Sequence, residues 1–92
     1  AVSGSGVNIK LIEYMDAAIP LVSTSLATRG LPLVAGTDLE IHDDAPAFGA
    51  AVLKLLRDPE AARAMSKEGQ THIREILDAE LNLDRIAEIL SR

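Results

Sequence analysis

The sequence predicts an α/β fold, half of a doubly wound parallel sheet followed by helices, and three observations predict it. Two short apolar runs, Pro20-Leu21-Val22-Ser23-Thr24 and Leu39-Glu40-Ile41, read as strands of the buried, parallel kind. Helix-period segments flank them, one before the first run and the others after the second. Hydrophobic residues make up 48% of the chain but aromatics only 2%, so the core has to be aliphatic. The 92 residues suffice for one domain, read as 1–92.

Taken in order, Ser3-Gly4-Ser5-Gly6 is a turn signal, with glycines free to take positive φ. A helix follows from Asn8, with Leu11, Met15 and Ala18 on one stripe and Ile12 beside it; Ser5 or Asn8 would cap it. Pro20 ends it, because the residue before a proline avoids helical backbone. Gly30, Pro32 and Gly36 punctuate an irregular connection between the strands. Asp43 and Asp44 ahead of Pro46 mark a helix start, and Phe48, Val52, Leu55 and Leu56 form its apolar stripe. Asp58 and Pro59 cap and open another helix through Met65 towards Ile73 and Leu77, weakened in its middle by Gly69. A last amphipathic helix is expected from Asn82 to Leu90, with Leu83, Ile86 and Leu90 apolar. So thin a sheet needs its edge covered by another domain or by a second copy of itself.

Composition excludes several function classes. Fourteen acidic against nine basic residues give a net charge of −5 with no basic run, which argues against a nucleic-acid backbone as partner. The absence of cysteine removes disulfides and thiolate metal sites. No apolar stretch approaches the ~20 residues of a membrane span, and no secretory leader pattern is present. A cytoplasmic location is the expectation. The glycine turn follows only three residues of chain, so the strand that would feed it is expected upstream of Ala1, in a longer protein.

The stretch most able to carry chemistry runs from Gly4 to Met15. A flexible turn leading into a helix N-terminus presents free N–H groups and partial positive charge, which suits a diphosphate. Gly6 permits close approach of that group, with Val7 and Asn8 continuing the first turn. Lys10 lies near the same face as Glu13, three residues on, and can balance phosphate charge. The Glu13 carboxylate can accept two hydrogen bonds from a vicinal diol such as a ribose. On spacing alone the same stretch is also an ordinary loop and a capped helix.

Gly4-Ser5-Gly6, Lys10, Glu13 and Ala17-Ala18-Ile19-Pro20-Leu21-Val22-Ser23-Thr24, in that order, resemble the donor-site segment of GT-B glycosyltransferases of the large group-1 (family 4) type. Arg29-Gly30-Leu31, the Asp43-Asp44 helix start and Leu55-Leu56-Arg57-Asp58-Pro59-Glu60 extend the likeness over nearly the whole chain. The resemblance implies a partial Rossmann-like unit, the C-terminal half of a GT-B nucleotide-sugar-binding domain. It implies transfer of a sugar from a nucleotide-diphosphate sugar, with retention of configuration, and no cofactor beyond that donor. Glu13 would bind the ribose hydroxyls, and the backbone at Gly6, Val7 and Asn8 would face the diphosphate and donor sugar. The acceptor site and any catalytic base would belong to an N-terminal domain of the parent, which leaves this piece alone inactive, with no catalytic residue. A peripheral membrane association of the parent and a homodimer through the sheet edge also remain open.

Three departures from the family pattern stand out. Many members carry a second glutamate eight positions before the one matching Glu13, where this chain has Ser5. Ala18 replaces the usual glycine ahead of x-Pro, a strained substitution if that residue is left-handed. Ala27 stands where glycine is common. Elsewhere, His42 with Asp43 and Asp44 could form a metal site, but neighbours at a strand end point apart. His72 is expected in solvent, Arg29 on the surface and Tyr14 packed under the turn. The rival readings are a non-catalytic interaction module dimerising through its sheet edge and a GT-B-like sugar epimerase.

Overall fold

The computed structural model describes residues 6–90, with side chains described for residues 9–80 and for Asn82. The order is α1 (Gly6–Asp16), β1 (Val22–Ser23), β2 (Glu40–Ile41), α2 (Ala45–Arg57) and α3 (Pro59–Leu90). It is a small α/β protein whose two short strands pair in parallel, Val22 opposite Glu40 and Ser23 opposite Ile41. Both strands fall within the apolar runs expected to form them. They are shorter than those runs, and Leu39 joins only an isolated bridge to Ala35.

α1 forms because Leu11 and Met15, one turn apart, both find the core, where they are buried against Leu39 and Ile73. It begins at Gly6, so Asn8 lies inside the first turn rather than at the cap; Ser5 lies outside the described residues. Its end is built by paired bonds. The Ile19 amide donates to the Tyr14 carbonyl at 3.1 Å and the Ala18 amide to the Met15 carbonyl at 3.0 Å, which is the Schellman arrangement. That arrangement needs a left-handed residue just past the helix, and Ala18 takes it at φ 55°. An L-alanine pays about 1 kcal/mol there. Ala18→Gly is therefore expected to raise stability by about 1 kcal/mol, read as a melting midpoint roughly 4–8 °C higher. Thermal melts followed by circular dichroism check it.

α2 starts as the sequence indicates. Asp44 is the N-cap, its carboxylate accepting from the Ala47 amide at 2.7 Å. Its buried residue is Ala51, not the stripe expected to face the core. Phe48 and Leu55 are only half-buried, and Leu56 remains 71% exposed. The reason is that the sheet beneath α2 is too narrow to cover that stripe.

α3 corrects the expectation of two separate helices. It is a single 32-residue helix, because nothing between Leu77 and Asn82 breaks it: Asp78-Ala79-Glu80-Leu81 contains neither glycine nor proline. Asp58 caps it, accepting from the Ala61 amide at 3.1 Å. Gly69 does not weaken it at random. There α3 comes so close to the loop before β2 that an alanine Cβ would sit 2.5 Å from the Asp38 carbonyl oxygen. α1 is fixed to the same helix by polar contacts as well. Arg74 donates to the Asp16 carboxylate at 2.8 Å, and Gln70 to the Asp16 carbonyl at 2.8 Å.

Candidate functional site

The expected donor site centres on α1. Gly6, Val7 and Asn8 occupy its first turn, where backbone N–H groups have no intrahelical acceptor. Gly4 and Ser5, the remainder of the expected turn, lie outside the described residues. Lys10 and Glu13 are brought together: the ammonium stands 3.7 Å from the carboxylate, and both side chains are mostly exposed. An exposed pair of this kind contributes little to stability, so neither residue is committed to holding the fold.

On one flank of Lys10 a cleft of about 430 Å³ opens between α1 and β1, lined by Lys10, Tyr14, Leu21, Val22 and Ser23 among others. The turn under which Tyr14 is expected to pack lies outside the described residues. Tyr14 is 45% exposed and lines this cleft, since it sits one helical turn beyond Lys10 on the same side of α1. That spacing was available in the sequence as the signal for its position. The walls are apolar except for the lysine, the tyrosine hydroxyl and Ser23, so the cleft can take an apolar or ring-shaped group beside a charged one. Glu13 faces solvent next to Lys10 and is not among the cleft's lining residues.

The loop after β1 is held in place by Asp43. Its two carboxylate oxygens accept from the Ser25 amide at 2.8 Å and the Ser25 hydroxyl at 2.7 Å. These bonds, the hydroxyl's foremost, hold the Asp43 carboxyl below its ordinary value. Arg29 is exposed, and Gly30 beside it uses the positive φ of 85° that glycine permits.

The acidic pair after β2 does not converge on His42. Asp43 is taken by Ser25 and Asp44 by the helix cap, while the His42 ring nitrogen lies 3.7 Å from Glu40. Among the described residues no three histidine or acidic side chains gather as metal ligands. His72, expected in solvent, is instead bonded through Nδ1 to the buried Asp38 carboxylate. No described helix is long and apolar enough to cross a membrane.

No protein-family model matches the chain, and neither a curated protein nor a solved structure matches it.

Proposed function

We propose that this chain supplies the donor side of a glycosyltransferase that uses a nucleotide-diphosphate sugar. In this reading the amides of Gly6, Val7 and Asn8 face the diphosphate, Lys10 offsets its charge, and Glu13 accepts from the ribose hydroxyls. Sugar transfer itself would require an acceptor-binding N-terminal domain and its catalytic base, in a cytoplasmic enzyme of Rossmann-like, GT-B architecture.

One observation carries the reading: the family's ordered features coincide with the local conformations they call for. The helix that begins at Gly6 bears Lys10 and Glu13 within 3.7 Å of each other. That helix ends on a left-handed residue at the position where the family has glycine. Pro20 and a parallel strand follow at once.

Titration calorimetry with UDP, GDP and their sugars tests it. Binding is expected, and Glu13→Ala should weaken it about tenfold or more, the loss of charge-assisted hydrogen bonds. Circular dichroism should stay unchanged, since Glu13 is exposed. No binding of any nucleotide, or binding indifferent to Glu13→Ala, favours the interaction module instead. Sugar release without transfer by the whole enzyme favours the epimerase.

A further inference from the structure

Asp43 makes a contact that neither strand pairing nor helix capping requires. Its neighbour Asp44 caps α2, while Asp43 reaches back across 18 positions to Ser25. Its Oδ1 accepts from the Ser25 amide at 2.8 Å and its Oδ2 from the Ser25 hydroxyl at 2.7 Å. The Ser25 carbonyl is engaged as well, accepting from the Thr28 hydroxyl at 3.1 Å. The Thr24 hydroxyl accepts from the Ala27 amide at 3.4 Å. The turn at residues 24–28 is thus closed from within by its two threonines and tied to the end of β2 by one carboxylate.

Topology puts this turn at a particular end of the sheet. β1 and β2 run parallel, so Ser25 and Asp43 both follow the carboxyl ends of their strands, where open α/β sheets hold their ligands. The chain reverses between α1 and β1, which brings the first turns of α1 to the same end. Lys10 accordingly shares the walls of one cleft with Ser23, the last residue of β1, and with Ala27 of the turn. An upstream strand, which the Rossmann-like reading calls for, would deliver its glycine turn to this end too and leaves the tie in place.

We propose that Asp43 is a positioning residue of the donor site. Through Ser25 it holds the turn at residues 24–28 beside Lys10, where the donor diphosphate is proposed to lie. The inference rests on the glycosyltransferase reading and acts on that same site. A loose turn would have to be ordered each time the donor binds, and that ordering is subtracted from affinity. The tie supplies the order in advance. A carboxylate suits the task, since its two oxygens meet both donors of a single serine. Ser25 and Asp43 are exposed and neither belongs to the core cluster, so the tie contributes little to the fold itself.

Calorimetric titration of UDP, GDP and their sugars into the wild type and its variants tests this, with thermal melts alongside. Asp43→Ala is expected to weaken donor binding about fivefold or more while its melting midpoint stays within roughly 4 °C of the wild type. Ser25→Ala keeps the amide bond and should weaken binding only about twofold. Ser25→Thr restores a hydroxyl and should bind as the wild type does. The double variant of Asp43→Ala and Ser25→Ala should bind no worse than Asp43→Ala alone, because both changes break one tie. Binding that falls with Glu13→Ala but not with Asp43→Ala overturns this inference and leaves the donor reading standing. A loss of affinity matched by a fall in melting midpoint makes the tie merely structural, and overturns it as well. A wild type that binds no nucleotide removes the donor reading and this inference with it.

Discussion

Replacing Gly69 by alanine is expected to destabilise the protein by roughly 2 kcal/mol, although alanine is the better helix former. On an exposed helix the change would gain about 1 kcal/mol. Here the new methyl would stand 2.5 Å from the Asp38 carbonyl oxygen and 3.1 Å from the Met15 Cε. The methionine can bend away; the carbonyl belongs to a backbone held between β2 and α3. Either the carbonyl moves or the helix does, and both are anchored. Asp38 precedes Leu39, which is fully buried, and α3 contributes Ile73, also fully buried, to the same cluster. Urea unfolding followed by circular dichroism gives the number, and the melting midpoint should fall by roughly 8–16 °C for a domain of this size. A neutral or stabilising result would mean that α3 stands further from this loop than described. Gly69→Val should be worse still, since the larger branched side chain meets the same backbone.

Gly69 also shows where sequence reasoning runs out. A glycine inside a helical pattern reads as a local weakness, because propensity is all that the neighbouring residues reveal. Its purpose is set by Asp38, thirty-odd positions away, and no periodicity encodes that meeting. Local features were more legible. The caps at Asp44 and Asp58 could be read because side chain and acceptor site lie three residues apart. Helical spacing alone puts Ala18 on the stripe of α1, whereas α1 ends at Asp16 and Ala18 is left-handed; only the resemblance, with glycine at that position, points to the strain. Both strands were placed, since a short apolar run between turns has few alternatives. The parallel pairing followed from the helices around them.

What the sequence could not settle was coverage. The α2 stripe has the spacing of a core face, but spacing does not say how much sheet lies beneath it. With two strands among the described residues, Leu56 stays in solvent. The break expected near Asn82 failed for a related reason: amphipathic stripes were read as separate helices where the backbone simply continues. At the candidate site, Lys10 and Glu13 could be paired from their spacing. Their relation to the cleft could not, because the other wall comes from β1 and the loop at Ala27.

The buried carboxylate of Asp38 is the other position where a single change should be costly. It is 3% exposed, and its Oδ2 accepts from the Val34 amide at 2.9 Å and from the His72 ring. The backbone closes the same turn, with the Asp38 amide donating to the Val34 carbonyl at 2.9 Å. One side chain thus fixes the loop's shape and fastens it to α3, on the face that also carries Gly69. Asp38→Ala leaves the Val34 N–H without an acceptor in a part-buried site and His72 without its partner. The expected loss is roughly 1–3 kcal/mol, from two part-buried donors losing their acceptor and from the gap left by the buried carboxylate. Asp38→Asn keeps one carbonyl acceptor and should lose about half as much. His72→Ala should cost less than Asp38→Ala, because the ring is 29% exposed and its removal leaves the carboxylate bonded to Val34. The double variant decides between a latch and two independent residues. If the pair acts together, the two losses will fall short of additivity by about 0.5 kcal/mol or more in denaturant unfolding. Strict additivity would mean that His72 merely lies against the loop, and that Gly69 and Leu39 alone hold it to the helix.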